Sequence, residues 1–467
     1  MTHPERTEIS RLSARQTLVV ASMLFGLFFG AGNLIFPVSM GQNAGALSWQ
    51  AALGFCITGV GLPLLGIVAF AISESTSLFD MCLRVGKGFA YFFTVALYLT
   101  IGPLFAVPRT ATVSFQVGVV PLLRQAGIAD GTAQTVALAL FSLAFFALVL
   151  FFSLRPSRIL DWVGRILNPL FLSVLAILLI TALVRPMGSM AAVEPQTPAY
   201  ANGTQSFFTG FLEGYNTMDA LASLAFGVIL VDAIRGLGVK KAEHAASSAM
   251  RSGFFASAAM VIIYVLLTVV GAQSAALLGV SADGGTALFA IAEHYYGTAG
   301  GVLLGVIITV ACLKTSVGLI TSLGSTFSEL FGRLGSGENA RPLSYRFYAL
   351  TFAAVSFVIA NAGLNAIIAF SIPVLLFLYP LTIVLMLLCA AGRAFAYRRS
   401  VFVWGMGFTV LAAGVQLLSS LLSPIPPLAF PFTIVATHLP LADLGMGWVA
   451  PAVVGIVIGV CMRKDRV

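Results

Sequence analysis

The sequence predicts an all-α integral membrane protein of about twelve transmembrane helices, and composition, run length and charge placement each point to it. Of its 467 residues, 59% are hydrophobic and only 9% are charged, where a soluble domain carries roughly 25% charged residues. A chain this poor in charge cannot cover itself with polar groups in water. Its apolar runs are also long, since a bilayer span takes about 20 consecutive apolar residues and a buried helix of a soluble protein about 10 to 14.

Residues 1–16 are polar and run straight into an apolar stretch with no small-residue cleavage site, so they read as a cytoplasmic N-terminal tail rather than a cleaved signal. Apolar blocks bounded by glycine, proline or charge then place spans over 17–44, 47–72, 89–119, 134–153, 160–184 and 207–231. A second set follows over 247–273, 301–325, 345–360, 365–391, 401–421 and 447–462.

The net charge of +8 does not mark a nucleic-acid binder, because the basic residues are scattered between apolar blocks instead of gathered on one face. They are topogenic. With the N-terminus inside, 21 Lys and Arg fall in inner segments, Arg124 and Arg185 in outer ones, and Arg109 and Lys314 within spans. A miscounted helix would scramble that alternation, so an even number of crossings and two cytoplasmic termini are expected. The five cysteines show no CxxC spacing and no grouping with histidine, which argues against metal and disulfide frameworks and leaves them as packing residues.

Irregular backbone survives at membrane depth only where it lines a cavity or is buried in protein. Two spans carry such an interruption. The first reads Phe25-Gly26-Leu27-Phe28-Phe29-Gly30-Ala31-Gly32-Asn33, and the sixth reads Gly210-Phe211-Leu212-Glu213-Gly214-Tyr215-Asn216-Thr217-Met218-Asp219. Small residues alone also serve close helix packing. Two interruptions five helices apart are another matter, because a repeated unit of five helices must re-enter the membrane inverted, as in many secondary transporters.

Three segments carry a family resemblance: GLFFGAGNLIFP at 26–37, GPLFAVPRTATVSF at 102–115 and GFLEGYNTMDALASLAFG at 210–227. In order and spacing, essentially end to end, the chain resembles the bacterial branched-chain amino acid carriers of BrnQ type. The resemblance implies cation-coupled symport of leucine, isoleucine and valine across the bacterial inner membrane. It also implies a LeuT-like core of two five-helix repeats, 17–184 and 207–391, with two additional helices over 401–462. The partners so implied are a small amino acid and the lipid bilayer, with no nucleic acid, no obligatory protein partner and no cofactor beyond a coupling Na⁺ or H⁺.

A zwitterionic substrate needs donors for its carboxylate, acceptors for its ammonium and an apolar pocket. A broken helix supplies the first two, with free N–H groups at a half-helix start and free carbonyls at a half-helix end. Gly30, Ala31 and Gly32 are expected to offer N–H groups, with carbonyls from Gly26 to Phe29, Phe28 among them, facing an ion or the ammonium. Asn33 either caps the second half-helix or gives its amide oxygen to a cation. Glu213, Gly214, Tyr215, Thr217 and Asp219 are the candidates from the sixth span, with Asp219 the carboxylate nearest mid-membrane.

In the eighth span, Thr315 and Ser316 offer hydroxyl oxygens to a hard cation such as Na⁺. Thr315 and Phe28 each lie about 16 Å from the inner end of their spans, so the two elements can meet at one level. By resemblance, a Na⁺ site falls between the carbonyls of Gly26 and Phe29 and the hydroxyls of Thr315 and Ser316, with Asn33 nearby. Lys314 complicates this, because a midspan lysine costs about 2.5 to 3.5 kcal/mol to insert and can carry the coupling charge itself. Arg109 and Glu213 lie at compatible depths for a structural ion pair. A channel and a membrane-embedded enzyme remain the alternatives, although no HExxH, no Ser/His/Asp set and no GxxxxGK[ST] motif is present.

Overall fold

The computed structural model describes residues 11–30, 32–128, 131–154, 168–239, 241–331, 333–334, 341–342 and 344–462. It is an all-α, multi-helix membrane protein. Among the described residues, seven helical stretches are long and apolar enough to cross a bilayer, and four shorter apolar helices accompany them.

Helices α1 (Ala14–Phe28) and α2 (Gly32–Ala44) divide the first expected span, and α3 (Ser48–Cys56) and α4 (Leu62–Ser73) the second. After the short α5 (Leu78–Leu83) come α6 (Lys87–Leu99) and α7 (Ala106–Gly118), the short α8 (Val120–Gln125), α9 (Thr132–Ser153) and α10 (Asn168–Val184). The sixth span divides into α11 (Gly203–Glu213) and α12 (Asp219–Gly236). Then follow α13 (Ala242–Leu278), α14 (Gly284–Leu330), α15 (Tyr345–Ala360), α16 (Leu364–Ala390), α17 (Arg399–Leu421), α18 (Pro426–His438) and α19 (Val449–Cys461). A two-residue antiparallel ribbon pairs Arg333–Leu334 with Arg341–Pro342.

Local chemistry accounts for several boundaries. The N-terminus of α1 is fixed by a reciprocal capping box, in which Ser13 Oγ accepts from the Gln16 N–H at 3.2 Å and Gln16 Oε1 accepts from the Ser13 N–H at 2.9 Å. The helix therefore starts three residues before the expected position. Two spans contain π-turns, Ile57–Gly61 and Thr100–Leu104, the latter opened by Pro103 and by Gly102 at φ −102°, ψ −121°. Helix α14 bends at Gly297, whose φ of 65° suits glycine, so the expected eighth span is the longer arm of a bent helix. Helix α18 was not foreseen: its prolines and 13-residue length fall below what a span requires.

Glycines set how closely the helices approach. A Cβ at Gly41 would lie 2.1 Å from the Thr268 carbonyl oxygen, and one at Gly271 would lie 2.3 Å from that of Val38, so α2 and α13 cross backbone against backbone. One at Gly284 would lie 1.9 Å from the Ile35 carbonyl oxygen, which brings the start of α14 onto α2 in the same way. Between α3 and α11 the arrangement is mutual, with Gly54 facing the Phe207 carbonyl oxygen and Gly210 facing that of Ala51, each at 2.0 Å from the Cβ position. Such contacts replace the hydrophobic drive that is missing between helices in lipid.

Alanine at Gly210 should therefore force α11 off α3, at about 1 to 3 kcal/mol for overpacking, and lower the melting temperature of the detergent-purified protein by several degrees. Gly407→Ala, where nothing lies within 4 Å of the new Cβ, should leave it unchanged. Equal stability of the two variants in size-exclusion thermal scans would show that the close crossing is not needed.

Candidate functional site

Both interruptions fall where the glycine and polar content placed them. Helix α1 ends at Phe28, Phe29 is extended at φ −72°, ψ 97°, and α2 begins at Gly32. Ala31 lies outside the described residues. In the sixth span, α11 runs into a tight 3₁₀ turn over Gly214–Thr217, and Met218 takes a left-handed conformation at φ 61° before α12 starts at Asp219. A non-glycine residue held there stores roughly 1 to 3 kcal/mol of strain, a feature that clusters at ligand sites.

Asn33 joins the two breaks. Its Oδ1 accepts from the Gly30 N–H at 3.0 Å, and its Nδ2 donates to Asp219 Oδ2 and to the Tyr264 hydroxyl. Tyr264, on α13, also donates to Asp219 Oδ2 at 3.2 Å, and the Asp219 N–H donates to Thr217 Oγ1 at 3.3 Å. Asp219 occupies the first turn of α12, where the helix dipole favours negative charge. All three side chains of this network are buried, Tyr264 completely.

Beside the network is a cavity of about 40 Å³. Polar groups among its lining come from Gly30, Gly32, Asn33, Arg109, Thr110, Thr217, Asp219 and Thr315, and apolar side chains from Leu27, Phe28, Ile101, Met218, Phe226 and Leu319. The level match between α1 and α14 holds: a Cβ at Gly30 would lie 3.4 Å from Thr315 Cγ2 and 3.5 Å from its Oγ1. Arg109 reaches the cavity from α7, with its guanidinium 5.0 Å over the Phe36 ring.

Other candidates sit elsewhere. The Gly30 N–H, expected to face a ligand, is taken by Asn33 Oδ1, so that oxygen serves the first break. A Cβ at Gly214 would lie 2.0 Å from Thr58 Oγ1, which makes this glycine a packing residue. Glu213 accepts from Asn216 Nδ2 at 2.9 Å and does not line the cavity. Its expected pairing with Arg109 is thus replaced by this local bond, and among the described residues no ion pair joins the two. Tyr215 stacks on Tyr379 of α16, ring centroids 3.9 Å apart, outside the lining. Phe29 stacks on Phe25 at 4.8 Å. Gly26 is buried within α1. Ser316 shares a 2.5 Å hydrogen bond with Thr110, and Lys314 is not among the residues lining the cavity.

Three participants were missed. Tyr264 and Tyr379 stand as lone hydroxyls in apolar runs, a signal that periodicity does not separate from ordinary aromatic packing. Thr110 follows Arg109 directly, and the Gly102–Pro103 opening that turns this stretch inward was legible as a breaker but was read only as part of a motif.

In solved structures, the fold is similar to that of a Na⁺-coupled sialic acid symporter in a substrate-bound outward-open state, with a TM-score of 0.58 at 14% identity over 96% of this chain and 91% of that one. It is also similar to MhsT in complex with L-phenylalanine, with a TM-score of 0.55 at 16% identity over 96% and 98%. In sequence, the chain is 44% identical to the branched-chain amino acid permease BrnQ of Lactobacillus delbrueckii subsp. lactis, over 95% of this chain and 96% of the relative. It is 41% identical to the permease BraB of Bacillus subtilis (strain 168), over 96% and 95%. The profile of the branched-chain amino acid transport protein family matches residues 13–466. The chain belongs to that family, with the BrnQ and BraB branched-chain amino acid permeases among its relatives, and is a transporter.

Proposed function

We propose that the protein is a secondary transporter that couples cation entry to the uptake of leucine, isoleucine and valine across a bacterial inner membrane. The observation that carries this reading is the meeting of two broken helices at one cavity whose lining combines polar groups with aliphatic and aromatic side chains. That pairing suits an amino acid with a hydrocarbon side chain. The 35–44% identity to branched-chain amino acid carriers over nearly the whole chain supports the substrate class. The architecture belonging to this reading is a pair of inverted five-helix repeats over 17–184 and 207–391, two further helices over 401–462, and cytoplasmic termini. The charge asymmetry supports that orientation.

Asp219 takes the substrate ammonium, held ready by Asn33, Tyr264 and the helix dipole. Phe28, Phe226, Ile101 and Leu319 receive the branched side chain. As found, the cavity of about 40 Å³ is well below the roughly 150 Å³ that holds benzene. Binding must therefore spread these walls, which ties substrate entry to helix movement.

Na⁺ is the preferred coupling ion, between the carbonyls of Gly26 and Phe29 on α1 and the hydroxyls of Thr315 and Ser316 on α14. The closeness of Gly30 to Thr315 supports this placement. Ser316 can donate to Thr110 and keep acceptor capacity for an ion, because a hydroxyl has one donor and two acceptor sites. An ion there holds the end of α1 against α14 and so favours the substrate-binding geometry, and linkage makes substrate favour the ion equally.

In proteoliposomes, labelled leucine should accumulate under an imposed inward Na⁺ gradient and not under a pH gradient alone. Thr315→Ala should raise the Na⁺ concentration for half-maximal uptake about tenfold, equivalent to roughly 1.4 kcal/mol, and Lys314→Ala should change it little. Proton-driven, sodium-independent uptake that disappears in Lys314→Ala would reverse the assignment and give the coupling charge to the lysine.

At Gly30, the Ala variant should retain measurable uptake because its Cβ makes only ordinary contact with Thr315. Gly30→Leu should insert normally and lose transport, since its branched end must enter the cavity or displace Thr315. Normal kinetics in correctly inserted Gly30→Leu would remove this position from the site.

A further inference from the structure

Arg109 is 3% exposed at the middle of a membrane bundle, and its Nη1 has no hydrogen-bond partner. Among the described residues, no ion pair joins it to Asp219, although both line the same cavity. Asp219 Oδ2 is already committed to Asn33 and Tyr264. A guanidinium with five donors, buried and only partly used, is suited to an acceptor supplied from outside the protein.

Its position is prepared. The plane lies over Phe36, and its Nη2 would be 3.1 Å from a Cβ at Gly32, so the absence of a side chain there makes room for it. Of the N–H groups expected to face a substrate carboxylate, that of Gly30 is satisfied by Asn33. Arg109 and Asp219 together make the cavity's formal charge zero, which suits a net-neutral ligand with one positive and one negative group better than an amine or a carboxylate alone.

We propose that Arg109 binds the carboxylate of the substrate by a charge-assisted, two-pronged hydrogen bond while Asp219 holds the ammonium, so that the pair selects α-amino acid zwitterions. This rests on the transport reading above and assigns Arg109 to substrate recognition instead of to coupling or to structural pairing with Glu213. Gly32 is then a positioning residue, acting through the place it leaves for the guanidinium.

Competition against labelled L-leucine binding, in the purified full-length protein, tests it. The competitors are L-leucine, 3-methylbutylamine, which lacks the carboxylate, and 4-methylpentanoate, which lacks the amine. In the unmodified protein, both truncated compounds should compete about 100-fold more weakly than leucine, the scale of losing one partner of a buried charge pair. Arg109→Gln should weaken leucine by a similar factor and leave the amine nearly unchanged, so that the preference for a carboxylate collapses. Gly32→Ala should reduce the same preference partially, and Arg109→Lys should restore part of it.

Two results would overturn the assignment. One is 3-methylbutylamine competing within about threefold of leucine in the unmodified protein, a test that needs no variant to fold. The other is equal weakening of leucine and amine by Arg109→Gln, the behaviour of a structural residue. A protein that binds no branched-chain amino acid at all would instead refute the transport reading, and this inference with it.

Discussion

Hydrogen bonding by one amide, that of Asn33, is the interaction on which the centre of this protein depends. Breaking a helix inside a bilayer frees N–H and C=O groups that lipid cannot satisfy, at several kcal/mol for each one left unpaired. Asn33 accepts from the Gly30 N–H on one side of the first break and donates across to Asp219 at the start of the second half of the sixth span. The two interruptions are thus mutually supporting. Asp219 gains a donor that keeps it compatible with burial, the first break loses an orphan N–H, and Tyr264 locks both by donating from a third helix. A half-satisfied network at this depth would cost more than an apolar core.

Charge is handled on the same principle. An unpaired ion buried in protein is strongly destabilising, on the order of 3 to 5 kcal/mol where one partner of a pair is removed. Arg109 lowers that cost locally by lying over the Phe36 ring and by sharing a cavity with Asp219, without being joined to it by an ion pair. The protein therefore keeps two opposite charges apart in a space of about 40 Å³. Keeping them apart leaves both able to respond to a ligand, which direct pairing would prevent.

The sequence made the membrane class and both breaks legible because each rests on local composition: long apolar runs for the first, glycine beside asparagine or carboxylate for the second. It also carried the level match of Thr315 with the first break, since rise per residue converts position into depth. Which way a side chain turns at a given depth was not legible. Gly214 and Tyr215 lie in the interrupted segment beside Asp219, yet the first packs on Thr58 and the second on Tyr379. Depth along the span singled out Asp219 over Glu213, and of the two only Asp219, which follows the 3₁₀ turn, lines the cavity. Tyr264 was hidden for a related reason, being a single hydroxyl in an apolar helix whose partners are 231 and 45 residues away.

The glycine contacts also divide the bundle by stiffness. Helix α2 meets α13 and the start of α14 through backbone, as α11 meets α3, and main chain at such distances cannot yield without separating the helices. The other halves of the broken spans are held differently. Gly227 of α12 faces the Phe70 ring, Gly66 of α4 faces Ser223 of α12, and Gly30, in the break just after α1, faces the Thr315 side chain. Side chains can change rotamer where backbone cannot. The breaks at Phe29 and Met218 thus join rigidly seated half-helices to more compliant ones, and the cavity's Phe28 and Phe226, proposed above to receive the branched side chain, belong to the compliant side. A cavity too small for its ligand and walls that can give are then two aspects of one design, in which binding energy is available to move helices only because the other half of each broken span is held in place.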